Sequence, residues 1–160
     1  MNVNNRVRRL CSGFALVELL VVVSIVAIAG AIAVAALSMA SRSAGMRKSR
    51  AAVSSAIRRA VSHAAKSGVT EGIDLWSIPV DSTVRVRTES SLPLPEGASA
   101  TGSVDLQGGT GKPYTNGANR AVAVLLEDTG DAEKVVAIVL GPNATVTEYR
   151  LAGNSWEVLR

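Results

Sequence analysis

Apolar and polar positions divide this chain into three stretches of different periodicity. After a polar start, Gly13–Leu37 reads GFALVELLVVVSIVAIAGAIAVAAL, and the 24 residues from Phe14 to Leu37 carry one charge, Glu18. A run this long predicts a membrane-spanning helix, which needs about 20 apolar residues. Beyond Leu37 the pattern turns periodic. Val53, Ala56, Ile57, Ala60, Val61 and Ala64 recur at three- and four-residue steps, the signature of one helical face. No proline occurs between Met1 and Ile78, so Phe14–Lys66 is expected as one helix of about 80 Å at 1.5 Å per residue. Lys66-Ser67-Gly68 supplies a basic last turn and a glycine stop.

From Val69 onward short runs rich in β-branched residues replace the helical pattern, predicting a β-rich head. Ile73–Val80 and Thr83–Thr88 read as strands. In Thr83-Val84-Arg85-Val86-Arg87 the valines and arginines point to opposite faces. Ser90–Gly97, with Pro93 and Pro95, is expected as a loop or edge, and Gly102–Gln107 as a strand. Gly108–Asn119, rich in Gly, Asn and Pro, is expected as a surface loop. Ala121–Leu126 and Lys134–Leu140 are the strongest strands, and the acidic, Gly-containing Glu127–Glu133 between them predicts a hairpin with a solvated turn. Thr145–Leu151 and Ser155–Leu159 form a second hairpin across Ala152-Gly153-Asn154. Trp76 and Trp156 are expected in the core against the helical stripe.

Charge separates the stretches again. The net charge of +4 hides an uneven distribution: Arg6, Arg8 and Arg9 precede the apolar run, and Ser41–Lys66 carries seven basic residues and no acid. From Ser67 on, seven basic residues face twelve acids. The chain is therefore a basic stem bearing an acidic head. The stem's charges suit three readings: a solvated face, contact with anionic lipid headgroups, or pairing with acidic heads of neighbouring subunits. Lys and Arg counts flanking the span are three before it and four after it, so the positive-inside rule leans weakly toward a cytoplasmic stem.

Gly13-Phe14-Ala15-Leu16-Val17-Glu18-Leu19-Leu20 resembles the class III signal of type IV pilins and type II secretion pseudopilins. The resemblance implies that the basic leader is cut after Gly13 by prepilin peptidase, that the new N-terminal Phe14 is N-methylated, and that Glu18 neutralises the N-terminal amine of an adjacent subunit during assembly. An amine–carboxylate pair in low dielectric attracts strongly, and either charge alone is costly in hydrocarbon; a contact between Glu18 and its own Phe14 amine is the alternative. The resemblance also implies an α+β pilin fold, one long N-terminal helix with a membrane half and an amphipathic half packed on a C-terminal antiparallel β-sheet head. Its segments would be a leader at 1–13, a transmembrane half at 14–37, an amphipathic basic half at 38–67 and a globular head at 68–160. The cytoplasmic leader, the periplasmic head and the single pass through a bacterial inner membrane follow from the same resemblance. Many such proteins carry a proline soon after the apolar run; Ala33–Leu37 has none, so a kink would have to come from Gly30 or from assembly. The stem and the all-β head without a cysteine pair are most similar to GspH/FimT-type minor pseudopilins. Partners implied are other pilin or pseudopilin subunits, prepilin peptidase, an inner-membrane assembly platform and membrane lipid.

Rival readings are weaker. Ser38-Met39-Ala40 is a small-x-small pattern that suits an ordinary secretory cleavage site, but Glu18 and the length of the run oppose it. The only cysteine, Cys11, lies in the leader, so the mature chain would hold no disulfide or cysteine metal site. Gly108-Gly109-Thr110-Gly111-Lys112 lacks the phosphate-loop pattern: Leu106 stands where a glycine is needed and Pro113 where Ser or Thr is needed. Glu127, Asp128, Asp131 and Glu133 offer oxygen ligands for calcium without the spacing of a helix-flanked loop. His63, the only histidine, is expected on the stem surface, and Asn143-Ala144-Thr145 as a turn. One histidine and no mature cysteine build no catalytic set, and no cofactor is implied. The expected function is a structural subunit for protein secretion through a pseudopilus or for a type IV pilus. DNA binding by a minor pilin of a DNA-uptake pilus would need clustered cations, and the acidic head offers locally only Arg85 and Arg87. A membrane-anchored periplasmic protein or enzyme is the remaining alternative.

Overall fold

The computed structural model describes residues 4–90, 93–115 and 117–159, with side chains from Leu16 onward. Helix α1 runs Asn4–Ser67. It begins at Asn4 rather than at Phe14, because nothing between Asn4 and Ser12 breaks a helix. It ends where expected. Gly68 takes a left-handed φ of 71° and its N–H donates to the Ala64 carbonyl, a glycine stop that satisfies a carbonyl of the last turn. Two compact units divide the chain, Met1–Ser41 and Arg42–Arg160.

The second unit holds the stem half of α1 and two sheets. In chain order the strands are β1 (Glu71–Asp74), β2 (Val84–Arg87), β3 (Ser99–Ala100), β4 (Ser103–Leu106), β5 (Pro113–Tyr114), β6 (Val122–Asp128), β7 (Asp131–Leu140), β8 (Val146–Ala152) and β9 (Ser155–Val158). The larger sheet has the order β2-β6-β7-β8-β9, antiparallel throughout, with β3 added parallel to β6. The smaller sheet is β1-β4-β5, also antiparallel. The architecture is α+β, a long N-terminal helix packed on an antiparallel β head, as the sequence predicts.

The helical stripe is core. Val53, Ile57 and Ala64 are buried with Val84, Val86, Val104, Leu106, Val124, Leu126, Ile138 and Leu140. On the other face of the larger sheet a second cluster forms around Ala123, Leu125, Ala137 and Val139, covered by Leu94, Ala98, Tyr149, Leu151 and Trp156. β6 is therefore buried at all seven positions. Double burial explains why its sequence is a continuous apolar run rather than an alternation. Where the helix enters the unit, Gly45 lies so close to Asp81 and Thr83 that a β-carbon would collide with both. One turn on, the Asp81 N–H donates to Ser49 Oγ at 2.8 Å. The Thr83 N–H and hydroxyl both donate to the Asp81 carboxylate, which holds its pKa below the ordinary 3.8.

Several expectations are corrected. Ile73–Val80 is not one strand: β1 stops at Asp74, whose carboxylate accepts the Trp76 N–H and turns the chain into a 3-10 helix, Leu75–Ser77. The solvated turn is shorter than Glu127–Glu133. Glu127 and Asp128 are strand residues, each 3% exposed, and the turn is Thr129-Gly130. Neither tryptophan packs on the helical stripe. Trp76 is 58% exposed, and Trp156 lies on the opposite sheet face, its indole N–H bonded to the Pro93 carbonyl at 3.1 Å. Alternation places Trp156 there, since Arg150 and Glu157 take the helix-facing side. The stretch 93–97 is irregular with a single 3-10 turn, Pro95–Gly97, as the loop expectation has it, and its Leu94 packs on the second cluster. Within 108–115, Gly111 and Pro113 are buried and Pro113–Tyr114 forms β5.

Candidate functional site

The apolar segment is the first candidate, and its elements follow from composition alone. Every residue from Leu16 to Leu37 is exposed, with Leu16 at 68%, Ile25 at 61% and Leu37 at 72%. An uninterrupted exposed apolar helix of this length has no place in water and must be covered by lipid or by other subunits. The hydroxyls in it and at its end are already satisfied: Ser24 donates to the Leu20 carbonyl at 2.8 Å, and Ser38, just beyond Leu37, to the Ala35 carbonyl at 2.8 Å. Such back-bonding hides a polar group from hydrocarbon. Glu18 has no such relief. Its side chain is exposed on α1, and among the described residues no partner meets its carboxylate. Gly13 and Phe14 lie on α1, and the exposure of both falls outside the described residues. The apolar helix fits a membrane-anchored single-pass protein.

The head shows what the remaining candidates do. Arg85 and Arg87, the local basic pair, converge on Glu127 from β2: Arg85 Nη2 lies 3.0 Å from one carboxylate oxygen and Arg87 Nη1 3.4 Å from the other. Both cations are thus paired with a buried acid. The acidic turn is engaged piecemeal. Asp128 accepts the Gly130 N–H at 2.9 Å, and Asp131 accepts the Glu133 N–H and pairs with Lys134 at 3.2 Å. His63 stands on the stem surface, 2.9 Å from Glu71. Among the described residues no group of three or more His, Cys, Asp or Glu side chains is arranged to hold a metal ion.

The glycine-rich loop has a structural task. The Gly109 N–H donates to the Ala64 carbonyl at 2.9 Å, and a β-carbon on Gly111 would lie 2.6 Å from the Val61 carbonyl oxygen. The loop seals the last turns of α1. A groove of about 410 Å³ lies between Met46 and the end of the larger sheet, floored by Val136 and Leu159. Its rim cations are each matched, Arg50 with Glu148 at 2.8 Å, Lys134 with Asp131, and Arg150 with Glu157 at 2.7 Å.

Sequence reasoning missed the bonds that lock the stem to the head. Ser54 Oγ donates to Glu148 at 2.7 Å while Arg50 binds the other oxygen of the same carboxylate. The signal was present: Ser49 and Ser54 sit on the buried side of the stem, where a polar side chain demands a partner.

No curated protein and no solved structure matches the chain. The prokaryotic N-terminal methylation motif matches residues 8–34. That stretch contains Gly13, Phe14 and Glu18 and most of the exposed apolar helix, and it supports the class of type IV pilin-like subunits.

Proposed function

We propose that this protein is a pilin-like structural subunit that is cleaved between Gly13 and Phe14, N-methylated on Phe14 and assembled through its apolar helix into a filament. The observation that carries this reading is the coincidence of the methylation motif over residues 8–34 with a helix whose apolar surface is wholly uncovered from Leu16 to Leu37. In this reading residues 1–13 are a cytoplasmic leader removed by prepilin peptidase, 14–37 span the inner membrane and pack in the filament, 38–67 form the basic stem, and 68–160 form a periplasmic head. Glu18 meets the amine of Phe14 in a neighbouring subunit and sets the axial register, because a subunit one step out leaves both charges unmatched in low dielectric. The all-β head and the stem favour a GspH/FimT-type minor subunit serving protein secretion through a type II pseudopilus, with a type IV pilus as the other host. Such a subunit works by packing and presentation, without catalysis.

The test is mass spectrometry of the N-terminus of the protein purified from its native membrane. A first peptide beginning with N-methylated Phe14 is expected. A chain beginning near Ser41, or an intact Met1, overturns the reading.

A further inference from the structure

Two charged surfaces of the second unit are left without ion-pair partners, and their chemistry is complementary. The first is on the stem. Lys48, Arg59 and Lys66 are 11 and 7 residues apart, about three and two helical turns, so they share one side of α1. All three are exposed, and among the described residues none is within ion-pair distance of a carboxylate. Lys48 contributes only a longer-range attraction to Asp81, the smallest of the influences on that carboxylate. Several other charges of the unit are paired: Arg50 with Glu148, Arg85 and Arg87 with Glu127, Lys134 with Asp131, Arg150 with Glu157. Arg42, Arg47 and Arg58 of the stem also have no carboxylate within ion-pair distance among the described residues, but their spacing puts them on other sides of the helix. The stripe is thus a set of cations on which no carboxylate of the fold closes.

The second surface is the outward face of the smaller sheet. Ile73, Val104 and Leu106 point into the core. Alternation sends Gly72 and Asp74 of β1, Ser103 and Asp105 of β4, and Tyr114 of β5 to the other side, where every one of them is exposed. Asp105 lies opposite Tyr114 in the register, and Tyr114 is 43% exposed. Neither Asp74 nor Asp105 pairs with a cation among the described residues. At the end of β1 stands Trp76, 58% exposed, its indole laid against Gly102 so closely that a β-carbon there would collide with it. Aromatic side chains next to carboxylates without cations, Trp76 by Asp74 and Tyr114 opposite Asp105, suit an arginine or lysine arriving from outside, which gains an ion pair and an aromatic face together.

We infer that the outward face of the β1-β4-β5 sheet docks on the Lys48-Arg59-Lys66 stripe of a second copy of this chain. The two surfaces differ, so the contact is heterologous: each copy offers its stem to one neighbour and its sheet face to another. Such contacts do not close into a dimer and propagate as a ring or an open filament. The inference rests on the reading of the chain as a filament subunit, and it adds a head-to-stem contact that is independent of the apolar helix and of Glu18.

The test is disulfide trapping in full-length chains in native membranes. Cys11→Ser removes the native thiol; one tagged chain carries Ser62→Cys on the stem and a differently tagged chain carries Tyr114→Cys on the sheet face. A mixed-tag disulfide dimer is expected, together with a ladder when one chain carries both substitutions. Reversing the face with Asp105→Lys should lower the yield about tenfold, since like charges brought together repel. Reversing the stem of the partner with Arg59→Glu and Lys66→Glu should restore it. These positions are exposed, so far-UV circular dichroism of each variant should match the parent. No mixed-tag dimer, dimers only between two Tyr114→Cys chains, or charge reversal without effect would each overturn the inference. Mass spectrometry of the same preparation separates the two failures. Methylated Phe14 without cross-links sinks the contact and keeps the subunit reading, whereas an unprocessed chain sinks the subunit reading itself.

Discussion

Arg85 and Glu127 face each other across β2 and β6, and the arginine's Nη2 lies 3.0 Å from a carboxylate whose residue is only 3% exposed. Arg87 holds the other oxygen from the same strand. An ionised carboxylate buried among apolar side chains persists only while both of its oxygens are bound. Removing one cation should cost about 1–2 kcal/mol, because the other remains. Arg85→Ala with Arg87→Ala should cost about 3–5 kcal/mol, the cost of stranding a buried charge. Glu127→Gln keeps the shape and removes the charge, so it should cost less than the double variant. Denaturant midpoints followed by tryptophan fluorescence check the order. A double variant no less stable than the parent would show that Glu127 does not need its arginines, and equal losses in the Arg85 single and the double variant would show that Arg87 adds nothing.

Gly111 should tolerate no side chain. Its φ is 64°, and a β-carbon would press on the Val61 carbonyl oxygen and side chain. Gly111→Ala therefore combines a left-handed penalty with a collision against the helix backbone, and about 2–4 kcal/mol is expected. Gly109, at φ 79° with open space around it, meets only the first of these, about 1–2 kcal/mol. Thermal unfolding of the two variants should separate them in that order.

Tyr149 should titrate late. Its hydroxyl donates to Glu96 Oε1 at 2.6 Å, and this bond, with burial and the nearby negative charge, raises its pKa from the ordinary 10.0 to about 12. The neutral phenol is the form the fold favours. Its contribution to stability is complete below about pH 10, where the unfolded phenol is also neutral, and is lost as pH rises toward about 12. Absorbance titration at the phenolate band in a Tyr114→Phe background should place the transition near 12, and Glu96→Ala should bring it down toward 10. An unchanged midpoint in Glu96→Ala would exclude the hydrogen bond as the cause.

Ile57 and Glu18 should separate folding from assembly. Ile57 is 2% exposed between stem and sheets, so Ile57→Ala should cost the head about 2–5 kcal/mol. Glu18→Gln touches none of the head. It should leave the head's unfolding midpoint unchanged and Phe14 still methylated, while the sheared filament fraction falls several-fold. Normal filaments from Glu18→Gln would refute the register role proposed for this carboxylate.

The elements with one strong local signal were legible in the sequence. The helix to Lys66, its stripe at Val53, Ile57 and Ala64, the β6–β7 hairpin and the alternation of Val84-Arg85-Val86-Arg87 all appear in the structure. Failures occurred where tertiary partners override local pattern. Glu127 reads as a turn residue because it is acidic, yet two arginines on a strand distant in sequence make it a buried strand residue. Ile73–Val80 reads as a strand until Asp74 caps the Trp76 N–H and folds the chain away. The left-handed φ of 56° at Glu96, which places its carboxylate at Tyr149, has no sequence signal, since glutamate rarely adopts that conformation. At the candidate site, the spacing of Gly13, Phe14 and Glu18 was visible as a motif, while the outward face of Asp74, Asp105 and Tyr114 required the pairing of three short strands.

The stem half of α1 is not a stalk on which a finished head is mounted. Val53, Ile57 and Ala64 complete the same apolar interior as Val124 and Ile138, and the second compact unit begins at Arg42 rather than at the first strand. A gene fragment opened at Val69 would encode two sheets with their shared wall missing, prone to aggregate. The natural seam for recombination or for a soluble fragment lies near Ser41, so the anchor can be exchanged as a cassette while the stem must be inherited together with the strands.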